Sequence, residues 1–230
     1  MLYIVATPIG NIEDTSLRAV KTLIQSDVLL VEDTATFDSY YKRIQSIFCI
    51  TAKENQKIIH FHKENEFLKI PECISLLKED KLISLVSESG LPTISDPGYI
   101  LIDRLIKMNI KYSVIPGPTA FTTAAVMSGF PLNHIIYLGF LPKKEQQIIH
   151  LINNLSHSQL INIKPTIVFY ESPHRIKKTL EIIYQILPDC SIAVCREMTK
   201  KFEEIIRGDI KNLKKEDYKG ELTVVIQIKS

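Results

Sequence analysis

The chain has 230 residues, 45% hydrophobic and 23% charged, with a formal net charge of +2 and a pI near 8.2. That is enough chain for one large domain or two small ones, each with its own core, and the proportions exclude a low-complexity or disordered class. The mildly basic sum neither requires nor rules out a nucleic acid partner, which a local basic face would decide.

In chain order, "LYIVA" at 2–6 reads as a first strand. Its apolar run is too short, and lacks the basic flank, for a signal peptide or a membrane span, and no other run approaches transmembrane length. Leu17, Val20 and Ile24 share one helical face after the cap-forming Asp14, Thr15 and Ser16. Strands are expected at 28–31, 82–86 and 112–115. "IPGPTA" at 115–120 then punctuates the chain, and a boundary here gives domains 1–115 and 116–230. The alternative is one continuous sheet in which this stretch is a further strand-to-helix turn. "FTTAAVMSGFP" reads as a small-residue helix able to pack closely on a sheet or a ligand. Further strands are expected at 135–140, 166–170, 191–195 and 222–228, and Ile176, Leu180, Ile183 and Leu187 mark a helix closed by Pro188. Continuous apolar strands alternating with helices indicate an α/β chain whose strands are covered on both faces. Cys49, Cys73, Cys190 and Cys195 form no C-x-x-C pair and have no histidine at zinc-ligand spacing, so buried free thiols in a reducing cytosol are expected.

Polar signals gather just past the strands, where ligands of open α/β sheets sit. They are "TPIGNIEDTS", "EDTATF", "SESGLPTISDPG", "PGPTA", "YESPHR" and "REMTKKFEE". Any one of these is accounted for by a turn or a helix cap at Thr15, Thr34, Ser95, Asp96, Thr119 or Ser172. Their concentration on one edge is the signal. Pro8, Pro92, Pro97, Pro116, Pro118 and Pro173 stiffen these loops, which suits a ligand read by main-chain groups. There is no glycine-rich dinucleotide loop and no G-K-[ST], which counts against phosphoryl transfer.

The blocks "VATPIGNIEDTS", "VEDTATF", "LVSESGLPTISDPG", "VIPGPTAFTTAAVMSGFP", "FYESPHRI", "REMTKKFEEIIRG" and "KGELTVVI" run in the order of one family. The chain resembles the tetrapyrrole-methylase superfamily, in particular its small-subunit methyltransferase I branch, the 16S rRNA cytidine-2'-O-methyltransferases. The resemblance spans Leu2 to about Ile226. It implies a two-domain α/β fold with S-adenosylmethionine (SAM) in the cleft between the domains, and a cytoplasmic homodimer acting on the 30S subunit without a metal. Carried over residue by residue, the methyl donor would touch Pro8, Ile9, Gly90, Leu91, Ile94, Ser95, Thr119, Ala120 and Tyr170. The sequence departs from the family pattern at Ala35, where an arginine is usual. It departs again at Glu88 and Leu91, where an aspartate and a threonine are usual. Longer members also continue into a small helical extension beyond the position of Ser230.

On that resemblance the task is to place an acceptor oxygen in line, about 3–3.5 Å from a methyl carbon. A ribose hydroxyl needs a base, or a cation for its developing charge. Glu88, Glu171 and Lys200 are the candidate catalytic residues, while Asp33, Thr34, Arg175 and Arg196 are the candidate substrate-binding residues. His174 sits at a helix start and reads as a polar capping position. Two rival readings are a superfamily enzyme acting on a corrin-type ring or a protein, and a ribosome-binding protein that has lost the donor site.

Overall fold

The computed structural model describes residues 1–158, 162–213 and 218–228, which pack as two units, Met1–Thr119 and Ala120–Ser230. Pro116 to Thr119 belong with the first unit, so the division falls a few residues past 115. Gly117 lies so close to Ala6 that an added Cβ would be 2.7 Å from that side chain's own Cβ.

In the first unit, strands and helices alternate in the order β1 (Leu2–Val5), α1 (Leu17–Gln25), β2 (Val28–Val31), α2 (Thr34–Phe48), β3 (Lys57–His60), α3 (Glu66–Lys78), β4 (Ile83–Leu85), α4 (Tyr99–Lys107) and β5 (Tyr112–Ile115). The five strands form one sheet, β3-β2-β4-β1-β5, in which every pair is parallel. The two-residue period of the strands divides their side chains between two cores. Leu2, Ile4, Val28, Leu30, Ile83 and Leu85 pack with Ile70, Cys73 and Leu77 of α3 and with Leu101 and Leu105 of α4. Val5, Leu29, Val31 and Val86 pack on the other face with Val20 and Leu23 of α1 and Phe37 and Ile44 of α2. Each such fully buried side chain contributes about 1.5–3 kcal/mol, which is why these strands read as unbroken apolar runs. Neighbouring strands β1 and β4 therefore hand the chain to helices on opposite faces. The carboxyl ends of such a strand pair are the usual place for a ligand in open α/β sheets.

The second unit contains α5 (Ala120–Ser128), β6 (Ile135–Phe140), α6 (Glu145–Ser156), β7 (Thr166–Glu171), α7 (Ile176–Ile186), β8 (Cys190–Arg196), β9 (Glu204–Asp209), the single turn α8 (Ile210–Leu213) and β10 (Leu222–Ile228). Its sheet, β6-β7-β10-β8-β9, is mixed. β6 is parallel to β7, whereas β10 is antiparallel to β7 and β8, and β9 antiparallel to β8. Ile167, Phe169, Ile192, Val194, Val224 and Ile226 face the core with Ile148 and Ile152 of α6 and Leu180 and Ile183 of α7. The small residues Ala124, Ala125 and Ser128 let α5 lie close against the other face, on β7, β8 and β10.

Three features differ from the sequence reading. β3 and β9 have no apolar run to announce them, because both are edge strands. β3 buries only Ile59, and β9 has only Ile205 and Ile206 as apolar residues in "EIIRGD". Of the four free cysteines, Cys49 is exposed rather than buried. It terminates α2 in the left-handed region at φ 52°, a position set by the end of the helix and not by packing. Burial pushes the thiol of Cys73 up to about 12 and that of Cys195 up to about 11, so neither is a thiolate nucleophile at neutral pH.

Candidate active site

At the carboxyl rim of the first sheet, backbone groups knit the exits of β1, β4 and β5 together. Thr7 N–H donates to Gly90 O at 2.8 Å, and its hydroxyl lies 3.2 Å from Ser87 O and 3.3 Å from Gly90 O. Ala6 N–H donates to Ile115 O at 3.2 Å. Gly90 is buried and left-handed at φ +81°. An added Cβ would meet Ile9 Cγ2 at 3.5 Å and Pro118 O at 3.6 Å. The three loops holding Pro8 and Ile9, Gly90 and Leu91, and Pro118 and Thr119 thus converge within van der Waals reach. Beyond Gly90, Thr93 and Ser95 are also left-handed, at φ 75° and 71°. Two strained non-glycine residues in one turn cost of order 1–3 kcal/mol each and persist only where the surroundings hold them. The holding groups are visible. Lys63 Nζ donates to Ser95 O at 2.6 Å, and the buried Glu66 accepts from Gly98 N–H at 3.0 Å.

The same rim gathers three carboxylates from two loops, Glu32 after β2, and Glu88 and Asp96 after β4. Burial pushes Asp96 up to about 6, and the charge of Glu32 adds to that, against the opposing effects of Lys63 and a hydrogen bond from Ser87. Glu32 is also raised, by burial first and by Glu88 second. Glu88 itself is exposed. Asp33 and Thr34 have local tasks beside this group. The Asp33 carboxylate caps α2 by accepting from Thr36 N–H at 2.7 Å, a bond that lowers its pKa. The Thr34 hydroxyl lies 2.9 Å from His60 Nε2.

In the second unit, Tyr170 is half-buried at the end of β7, and its neighbour Glu171 is buried. Both oxygens of Glu171 are engaged, one by Ser172 N–H at 2.8 Å and the other by the Thr179 hydroxyl at 2.7 Å, with Arg175 at 3.4 Å. Arg175 also donates to Leu141 O and Pro142 O, bracing the exit of β6 against the start of α7. Arg196 bonds Lys219 O at 2.6 Å and Glu204 at 3.0 Å. Lys200 pairs with Glu221 at 2.8 Å and Glu197 at 3.5 Å. Burial works against the Lys200 charge, but those two carboxylates together hold its pKa above the ordinary lysine value.

A model of the tetrapyrrole (corrin/porphyrin) methylases matches residues 1–214. The chain belongs to that family. It is 38% identical over 230 residues to the ribosomal RNA small subunit methyltransferase I of Hydrogenobaculum sp. (strain Y04AAS1), covering 98% of this chain and 94% of that one. The protein of the same name from Thermotoga maritima is 38% identical, with 98% and 97% covered. The one from Bacillus subtilis (strain 168) is 36% identical, with 99% of this chain and 75% of that one covered. Among solved structures, the methyltransferase CobJ superposes with a TM-score of 0.69 at 16% identity, covering 98% of this chain and 92% of that chain. A cobalt precorrin-4 methyltransferase, CbiF, gives 0.63 at 16% identity, with 98% and 93% covered.

For a methylase of this family the structure sorts the expected residues into two kinds. Pro8, Ile9, Gly90, Leu91, Ile94, Ser95 and Thr119 lie on one rim of the first unit, with Glu88 on the same loop. Glu171 and Arg175 are tied into the second unit's own framework. Glu32 and Asp96 escaped the sequence reading. Glu32 stands directly past β2 beside the more conspicuous helix cap Asp33, and position past a buried strand was the signal available for it. Asp96 looked like a cap, and only the fold brings it near Glu32.

Proposed function

We propose that this chain is a SAM-dependent methyltransferase that methylates the 2'-hydroxyl of a cytidine ribose in 16S rRNA of the small ribosomal subunit. The observation that carries the reading is the 38% identity, across 98% of this chain, to relatives named for methylating small-subunit ribosomal RNA. The rim chemistry supports it. SAM presents a sulfonium and an ammonium group, and the rim offers the carboxylates Glu32, Glu88 and Asp96. Gly90, left-handed and without a side chain, keeps the loop's approach open. Pro8, Ile9, Gly90, Leu91, Ile94, Ser95 and Thr119 of the first unit would hold the donor. When bound, SAM supplies a methyl group already activated on sulfur.

The protein's remaining work is to orient the ribose and accept its proton. Asp96, ionised at neutral pH yet basic for a carboxylate, is suited to take the 2'-hydroxyl proton, and exposed Glu88 to orient the sugar. Glu171 does not share that role, because its oxygens already serve Ser172 and Thr179. Lys200 stays cationic and, with Arg196, suits an RNA phosphate. The proposal includes a homodimer working in the cytoplasm. Among the described residues, no helix is long and apolar enough to cross a membrane.

Two measurements test it. S-adenosylhomocysteine at 100 times its dissociation constant should stabilise the protein by about 2.7 kcal/mol. Labelled methyl groups should pass to small ribosomal subunits and not to a free tetrapyrrole; transfer to the tetrapyrrole alone would reverse the assignment.

A further inference from the structure

The end of β6 is built in a way that its own packing does not require. Residues 137 and 140, three apart, would point to opposite faces of a regular strand. Here β6 pairs with β7 in step from Ile135 opposite Thr166 to Tyr137 opposite Val168, and then jumps to Phe140 opposite Tyr170. Three steps along β6 answer two along β7, a bulge whose turn is made at Gly139, φ +64°. The extra residue re-aims Phe140, so that Tyr137 and Phe140 both lie edge-on to Tyr170, with centroids at 5.4 and 5.2 Å. Phe121 stacks on Tyr137 at 4.6 Å and continues the row. Leu141 returns to the core, and Arg175 fixes its carbonyl. Phe140 stays 65% exposed at the head of a rigid aromatic row.

The charge around it is mainly positive. Lys143 and Lys144 follow directly and are exposed, and exposed Lys177 and Lys178 lie at the start of α7. The nearby carboxylates are engaged, Glu145 with Lys178 at 2.6 Å and Glu171 within the framework. Aromatic faces on which bases stack, beside cations that follow a phosphate backbone, are how single-stranded nucleic acid is held.

Resting on the rRNA reading above, we propose that Phe140 is a stacking platform for an unpaired nucleobase of the RNA substrate, with Lys143 and Lys144 meeting the adjoining phosphates. The probe is a fluorescein-labelled, single-stranded 12-nucleotide RNA of mixed sequence, followed by anisotropy. S-adenosylhomocysteine affinity, methyl transfer to small subunits and oligomeric state are measured on the same preparations. Phe140→Ala and Phe140→Leu should each weaken RNA binding roughly 5- to 150-fold, the range of one stacked base, while Phe140→Trp retains it. S-adenosylhomocysteine affinity should not change, and KM for small subunits should rise. Replacing both Lys143 and Lys144 by Ala should reduce the slope of log affinity against log salt by about 1.4.

Full affinity in Phe140→Leu would overturn the proposal, since apolar bulk and not a π-face would then suffice. Loss of the oligomer in Phe140→Ala would assign the ring to a protein contact and also overturn it. Unchanged RNA affinity in Phe140→Ala, with wild-type methylation of small subunits intact, would remove the platform and leave the rRNA reading standing. A wild-type protein that neither binds RNA nor labels small subunits would remove both.

Discussion

Replacing Asp96 by Asn should make the protein more stable at pH 7.5 and far less active. The carboxyl sits at about 6 in the folded chain against an ordinary 3.8, chiefly because burial disfavours its charge and secondly because Glu32 is near. A raised folded value means that the folded state holds the proton more tightly than the unfolded chain. Asp96 is therefore tolerated best below about pH 4, costs progressively more as pH rises from 4 to 6, and imposes its full penalty above 6. A shift of about two units corresponds to roughly 3 kcal/mol, which solvent screening of this partly open group reduces to about 1–2 kcal/mol. Asn keeps an oxygen for the Ser87 hydroxyl and removes the charge. At pH 7.5 the melting temperature should then rise by about 2–8 °C. The assay is a pair of urea titrations from pH 4 to 8, in which the stability difference should grow from near zero to its plateau. Methyl transfer should fall by about 10²- to 10⁴-fold if Asp96 accepts the proton, with S-adenosylhomocysteine still bound. A variant that is less stable at pH 7.5, or a stability difference that does not vary with pH, would refute the reasoning.

Gly90→Val should abolish S-adenosylhomocysteine binding in calorimetry, because φ +81° is closed to a β-branched residue; retained affinity would take Gly90 out of the site. Glu171→Ala should cost about 3–5 kcal/mol in a denaturant titration, since it strips Ser172 N–H and Thr179 of their acceptors and leaves Arg175 without its carboxylate; a loss under 1 kcal/mol would contradict the framework role. Lys200→Ala should change stability by no more than about 1 kcal/mol, its pairs being partly exposed, yet weaken RNA binding with S-adenosylhomocysteine affinity intact; normal methylation would leave Lys200 as a surface ion pair.

Much of this architecture is legible in the chain because its strands are buried on both faces. Leu2 to Val5 or Val28 to Val31 must be apolar throughout, and such runs stand out. The same physics hides β3 and β9, which at a sheet edge bury one residue and none. At the site, the loop of Gly90 and Pro92 was readable because backbone constraints demand particular residue types. What Glu171 does was not, since only the fold shows a carboxylate turned inward onto Thr179 rather than out toward a ligand. Asp96 and Glu32 carry the converse lesson. Their shared rim arises from the neighbouring places of β2 and β4 in the sheet, while the two are 64 positions apart in the chain.

The most direct test maps 2'-O-methyl marks by mass spectrometry on 16S rRNA from cells with and without the gene, and on small subunits from the deleted cells after incubation with the purified protein and SAM. A single cytidine should lose its mark on deletion and regain it in vitro with the wild-type protein. Identical maps from both cells, or a restored methyl group found on a base rather than a ribose, would contradict the account.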